Sequence, residues 1–596
     1  MKKIFIPILL GFALTTVSCQ GLLDIPQKGV VSYDTFYASD ADAEAALTSV
    51  YANFASRVAG QFENWNAQLM ILNYSADDVL AAGGDADDHI AVRVFDEFRY
   101  SNETNALKEF YNRYYLTIYH ANLVISNFTD ENRYGDAPKY TSAYTNQCVA
   151  EARVMRAYLH MMAALSWNCP PIMDRLYDGD ELPVNAESQS QVLEWVIAEC
   201  EKAISSGALP KRNGTGDKNA TARMSVGFAQ FVAGKAAMFN NDPATARKYL
   251  GALIASGDYA LVPSEDYWTN FHVAGDGNSE KIFESNFIED PNNTGFLVWS
   301  RARWQVHSVL MWKTQGSGNF PALNRIDGWN GGAIQADFAK KFLAHDGNSP
   351  RRLATFITGD EYLYEIDWRD SEFNDGTLEQ KKSDPKRGVT LSTGMFSRGP
   401  YFEWKHMSFE NPPKILTGGK EYPSDNVDNI PFNNVSQKNF SVARYAEALL
   451  LYAEACIGSG EEAAGLKALQ AVQERSGSGK ISDKLTFEDI MEEKQYEMWF
   501  ENCRFHDLVR WSKQGKVNLD DVFNKSGIHE TVTILYDEFF IDGKPGYKKE
   551  HKLYTEPTKV YFSPFIVGKH EYLPFPNEVM NANPNLHNVL GWASAE

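Results

Sequence analysis

SVARYAEALLLYAEAC, Ser441 to Cys456, is the stretch whose reading decides the fold. No charge stands between Glu447 and Glu454. Ser441 suits an N-cap, because its hydroxyl can accept from an otherwise unpaired N–H in the first turn. Alanine and leucine then favour helix. Tyr445 and Tyr452, Glu447 and Glu454, and Ala448 and Ala455 each stand seven apart. Seven residues are two helical turns, so each pair shares a face. A face of small alanines lets another helix approach closely, with the tyrosines at its rim. Gly458 and Gly460 end the helix. A second alanine-rich stretch, Glu461 to Arg475, follows with acids at its positive N-terminal end. Two helices and a tight turn make a hairpin of about 34 residues, the size of a tetratricopeptide unit.

Thr486 opens TFED, a capping-box-like start with Asp489 in place of the usual glutamate. It predicts one long helix, EDIMEEKQYEMWFENCRFHDLVRW, ending near Trp511. The tail Tyr572 to Leu586 reads YLPFPNEVMNANPNL. Taken in order, RYAEALLLYAEA, EKQYEMWFENCRFHDLVRW and this tail resemble the C-terminal hallmarks of the SusD/RagB family of surface nutrient-binding lipoproteins. Glu151, Arg156, Ala157 and Tyr158 match the family's E-A-x-x-x-R-A-Y segment, and Ser279 to Phe283 its sE-x-IF strand. Ser32 to Tyr37 matches its Ser-x-x-x-Phe-Tyr turn.

At the start, Lys2 and Lys3 precede an apolar run from Ile4 to Leu14, too short to span a bilayer comfortably. Thr16-Val17-Ser18-Cys19 follows. This predicts a secretory signal peptide over 1–18. It resembles a lipoprotein signal, in which Cys19 becomes the lipidated first residue, although Thr16 stands where leucine is usual. The net charge of −21 argues against nucleic acid, whose phosphates need a basic footprint. The five cysteines after Cys19 form no CxxC, so neither a disulfide framework nor a zinc ribbon is indicated. They read as small buried residues.

Further helices are expected at Ala106 to Asn127, Ala150 to Trp167, Gln191 to Ser205, Ser225 to Asn240 and, after Asp242-Pro243, Ala244 to Ser256. The fold class is mainly α: a tetratricopeptide-like helical scaffold with a large loop-rich insertion containing short strands. The expected division is a helical scaffold over 19–258, the insertion over 259–440, and the helical pair, long helix and tail over 441–596. A long irregular insertion on a rigid scaffold is where binding residues usually lie.

Four of the 13 tryptophans, Trp299, Trp304, Trp312 and Trp329, fall between positions 299 and 329 of that insertion, with Phe296 and Phe320 and among Asn292, Asn293, Arg301, Arg303 and Gln305. Aromatic faces can stack on sugar rings while amide and guanidinium groups bond the hydroxyls. For any single tryptophan, burial in the core is the competing account. FENWNAQ, Phe62 to Gln68, places Trp65 between two asparagines. The candidate ligand-binding residues are therefore Trp65, Phe296, Trp299, Trp304 and Trp329. The stretch from Asp77 to Asn105, with His89, Arg93, Phe95, Phe98 and Tyr100, is a third candidate.

Catalytic motifs are absent: no HExxH, GxSxG, P-loop or dinucleotide fingerprint occurs. Glu151, Arg153 and Arg156 read as salt bridges that fix helix packing. Cys503, His506 and Asp507 can touch on one helix, but nothing supplies an oxyanion hole. Asp85, Asp87 and Asp88 lack the glycine and distal glutamate of an EF-hand. No metal or cofactor is expected.

The family resemblance implies glycan capture at the cell surface and delivery to a TonB-dependent SusC-like transporter, with anchorage in the outer membrane through Cys19 and no catalysis. Two other readings remain open. A surface glycoside hydrolase needs two carboxylates about 5–10 Å apart in one cleft. An assembly protein would pack on the transporter and bind no glycan.

Overall fold

The computed structural model describes residues 36–58, 61–62, 66–81, 90–131, 137–286, 332–358, 361, 401–403, 405–407, 409, 412–425, 438–525, 530–535, 540–541, 544–545, 552–557 and 564–593. The first long helices are Asp40–Asn53, Asn105–Phe128, Ala143–Trp167, Gln189–Ser205, Val226–Phe239 and Pro243–Ala255. Ser39, Ser142, Ser188, Ser225 and Asp242 cap five of them by accepting a first-turn N–H. Each cap satisfies donors that the helix cannot pair internally.

From Asn105 onward each of these helices packs on the next. The stack continues through a helix distant in sequence: Tyr445–Ala455 lies against Pro243–Ala255, and Glu462–Ser476 lies against Tyr445–Ala455. The architecture is thus mainly α and tetratricopeptide-like, with short strands. Ala446, Ala448, Ala453 and Ala455 are fully buried. The second helix of the hairpin can approach because Gly465 has no side chain: a Cβ there would stand 2.6 Å from that of Cys456. Gly458 and Gly460 take positive φ, 69° and 85°, and turn the chain between the two helices.

Two expectations fail. Ser441 is not an N-cap. Phe440–Arg444 is a strand, antiparallel to Lys281–Ser285, and the helix begins at Tyr445. The backbone of 440–444 pairs with a distant strand, a partner that local propensity does not reveal. The Ser441 hydroxyl has no hydrogen-bond partner among the described residues. The long helix expected up to Trp511 is two helices, Phe487–Glu497 and Arg504–Lys513. Between them Phe500 and Asn502 adopt φ of 58° and 60°, a region costly for residues other than glycine. Neighbours hold the break open. The Asn502 N–H donates to Asn73 Oδ1 at 2.6 Å, and the Trp499 indole to the Asp78 carbonyl at 2.9 Å.

The break serves a buried charge network. Arg444, 1% exposed, donates to Glu280 at 2.5 Å, to Glu497 at 3.1 Å and twice to Glu501 at 2.6 Å. Arg475 bridges the same Glu280 and Glu497, at 2.6 and 2.5 Å, and Lys405 reaches Glu501 at 2.6 Å. The seven-spaced acids of the 445–455 helix form a second network. Glu447 meets Lys235 at 2.8 Å. Glu454 takes both Arg510 nitrogens, at 2.7 and 2.9 Å, and the Trp511 indole at 3.1 Å. Lys494 reaches Asp507 at 2.7 Å.

Two experiments check this packing. Ala448→Trp or Ala455→Trp should lower stability by about 1–3 kcal/mol or more, read from urea denaturation, since neither position has room. Unchanged midpoints for both would refute the packing. The second concerns acid. Burial alone raises Glu501 and Asp507, but Arg444 and Lys405 bring the first down to about 2, and Lys494 and Arg510 the second to about 2. These folded values lie below the unfolded ones, so the stabilisation is complete above about pH 4.5 and is lost as pH falls toward 2. Melting temperature should be level from pH 7 to 5 and drop steeply between about 4 and 2. A level profile down to pH 2.5 would contradict the network.

Candidate functional site

The aromatic candidates Trp65, Phe296, Trp299, Trp304 and Trp329 lie outside the described residues, as do Cys19, His89 and the acids Asp85, Asp87 and Asp88. Within the third candidate stretch, Phe95, Phe98 and Tyr100 are core residues, at most 7% exposed. Phe95 stacks on Tyr100, and Phe98 on His570. They pack the C-terminal tail onto the scaffold and are not a stacking surface.

That stretch does border a cleft of about 530 Å³. One wall comes from residues 75–77 and from Asp96 and Phe98, which follow the helix Ile90–Asp96 into its turn. The facing wall comes from the helix Ala336–Asp346, through Phe338 and Lys341. Gln495 and Arg504 contribute from the broken helix, and Phe523 and Phe565 from the chain beyond it. The cleft's position follows from pairings between distant segments. Val79–Ala81 is antiparallel to Gly332–Ile334. The Gln335 N–H donates to the Asp78 carbonyl at 3.1 Å, and Gln335 in turn caps the 336–346 helix by accepting from the Phe338 N–H at 2.7 Å.

The electrostatics are those of a desolvated polar wall. Arg504 grips Asp77 with two bonds, 2.7 and 2.8 Å, a bidentate geometry that fixes both planes. Its third nitrogen, Nη1, is buried and has no acceptor among the described residues. Asp78, 1% exposed, is pushed up to about 7 by burial and then by the charge of Asp77. Asp96 is likewise pushed up to about 7 by burial, with one oxygen taking the Ala81 N–H at 2.9 Å. Phe98 has a φ of 48°. Side chains in this region carry strain of order 1–3 kcal/mol, which persists where surrounding structure enforces it and clusters at functional sites. Sequence reasoning singled out the 77–105 stretch but not Asp96, Arg504 or the 336–346 helix. Only the sheet pairing and the helix break bring them together.

The groups weighed as catalytic prove to be structural. Arg153 and Arg156 both engage Glu199, while Glu151 pairs with Arg223 and accepts from Tyr51 at 2.5 Å. These bonds tie helices together, with partners other than those adjacent in sequence. Burial holds the Cys503 thiol well above its ordinary value and brings His506 down to about 3, so this pair offers neither thiolate nor a base poised near neutrality. Cys148, Cys169, Cys200, Cys456 and Cys503 are buried free thiols. Among the described residues no group of three or more His, Cys, Asp or Glu can hold a metal ion, and no helix is long and apolar enough to cross a membrane.

Comparisons with known proteins extend these observations. Residues 416–592 match the model of the SusD family. A SusD-like protein of Bacteroides ovatus is 24% identical over 96% of this chain and 95% of its own length. Among solved structures, a laminarin binding SusD-like protein is 21% identical with a TM-score of 0.65, covering 93% of this chain and 99% of its own. Surface glycan-binding protein A from Bacteroides thetaiotaomicron, solved in complex with laminarihexaose, is 20% identical with a TM-score of 0.66 and the same two coverages. The matched segment spans the 445–455 helix, the broken helix and the tail, and the fold likeness extends over nearly the whole chain; the chain is similar to the SusD/RagB family in this C-terminal segment and in fold.

Proposed function

We propose that this protein is a surface glycan-binding lipoprotein that captures oligosaccharides and passes them to a TonB-dependent SusC-like transporter. The observation that carries the reading is a fold shared along nearly the whole chain with a glycan-binding protein solved on laminarihexaose. The aromatic set Trp65, Phe296, Trp299, Trp304 and Trp329 supplies the stacking faces, with Arg301, Arg303 and Gln305 bonding hydroxyls. These residues sit mainly in the 259–440 insertion of a scaffold whose helices provide rigidity. Cys19 carries the lipid that holds the protein at the outer membrane, and more than one acyl chain makes such anchorage stable. The protein performs no catalysis: its task is to bind and hand over.

Titration calorimetry across an oligosaccharide panel, with laminarihexaose first, tests this reading. Release of new reducing ends would replace it with a hydrolase. Silence across the whole panel, with transporter binding retained, would leave only the assembly role. Within the binding reading, alanine at Trp299 or Trp304 should weaken affinity roughly tenfold, about 1.4 kcal/mol, with little change in melting temperature. Unfolding of both variants would mark these rings as core. Cys19→Ala should leave the fold intact and release the protein from membranes. Retention in the membrane fraction without a partner present would exclude the lipid anchor.

A further inference from the structure

Apolar side chains left in water are informative when they gather in one place. Among the described residues eight large ones are exposed, and five of them, Leu182, Val184, Ile566, Val567 and Leu590, lie on three segments stitched together by hydrogen bonds. Asn583 and Asn585 donate to the carbonyls of Pro183 and Leu182, at 2.7 and 3.1 Å. Asn185 and His587 exchange two further bonds, at 2.8 and 3.1 Å. The Gly591 N–H then donates to the Gly568 carbonyl at 2.9 Å, one residue from both Leu590 and Val567. Glycine is needed at that crossing, since a Cβ on residue 591 would stand 2.7 Å from that of Lys569.

The surface is held rigidly and under strain. The turn that presents Ile566 and Val567 is pinned twice: the Ile566 N–H donates to His570 Nδ1 at 2.9 Å, and the Gly568 N–H to Glu571 Oε1 at 2.8 Å. Leu590 has a φ of 55°, a region costly for residues other than glycine, and its side chain is nevertheless 49% exposed. Strain spent on holding an apolar side chain in water points to a contact made outside this chain.

The charges around the patch select its partner. The chain that carries it, residues 174–187 and 564–593, has seven acids and two bases, Arg175 and Lys569, with histidine neutral. Arg175 is taken by Asp174 and Glu181, and Lys569 lies over the Trp592 ring. A membrane with anionic headgroups repels such a rim. A second copy would bring identical patches, and with them identical acids, face to face across a two-fold axis. An apolar protein face edged with Lys or Arg complements both features. We propose that this surface docks the SusC-like transporter through a face of that kind. The proposal rests on the reading that a transporter is the partner, and it is independent of which oligosaccharide is bound.

The test is the affinity of the whole lipidated protein, in detergent, for the TonB-dependent transporter that co-purifies with it. Three double variants accompany the wild type. Val184→Gln with Val567→Gln strips the patch at side chains 63% and 58% exposed, so the core is untouched. Asp180→Lys with Glu187→Lys reverses the rim at two exposed acids. Ile457→Gln with Ile481→Gln removes two exposed apolar side chains elsewhere. The first pair should weaken the complex roughly tenfold or more, with melting temperature and oligosaccharide binding unchanged. The second should weaken it at low salt, and the difference should vanish near about 1 M salt, where charges are screened within about 3 Å. The third should change nothing. Wild-type affinity in the first two pairs overturns the inference. An equal loss in the third also overturns it, because exposed apolar residues then act without regard to place. If transporter affinity is intact but the first pair abolishes dimerisation, or abolishes binding of Cys19→Ala to phosphatidylglycerol vesicles, the surface belongs to a second copy or to lipid and the inference is wrong. If no transporter binds the wild type while oligosaccharide still does, the transporter reading falls and the docking surface with it.

Discussion

Arg444 is the residue on which the rest of the structure turns. A guanidinium at 1% exposure cannot stand alone, because an unpaired buried charge costs several kcal/mol. Its planar fork is met by Glu280, Glu497 and Glu501, which come from three different places in the chain. Glu280 precedes the strand Lys281–Ser285, Glu497 ends a helix, and Glu501 lies in the turn after it. One side chain therefore fixes where the chain re-enters the helical stack and how the next helix must break. Arg475 repeats two of the three contacts from the neighbouring helix and ties the hairpin to the same point.

The break at 498–503 follows from that constraint. With the helix broken there, Glu497 and Glu501 both bond Arg444. Phe500 and Asn502 accept left-handed backbone, at an energetic cost. Hydrogen bonds from Asn502 and Trp499 into residues 73–78 offset it. The same bonds carry the break's influence to the N-terminal half, since Asp78 also receives the backbone of Gln335. The cleft beside Asp96 and Arg504 is the space left where these three segments meet.

The stacked helices carry buried, paired charges and small residues, which favour rigidity over chemistry. Buried Cys503 and His506 show how a sequence constellation that suggests reactivity can be silenced by desolvation.

By itself the sequence determined the helices and where most of them begin. The Asp242 cap is a local hydrogen bond between residues a few positions apart and was legible in one dimension, whereas Ser142 starts its helix at Ala143, seven residues before the expected Ala150. The alanine face at Ala448 and Ala455, the turn glycines Gly458 and Gly460, and the family's hallmark segments were legible for the same reason. The tertiary structure alone decided that Ser441 lies in a strand, that one amphipathic run is two helices, and that Asp96 and Arg504 share a wall. Each of these depends on a partner far away in the chain, either a strand at Lys281–Ser285 or an acid such as Glu280. No periodicity around Arg444 encodes its counter-charges, because burial creates the need for them and only the folded chain supplies the burial.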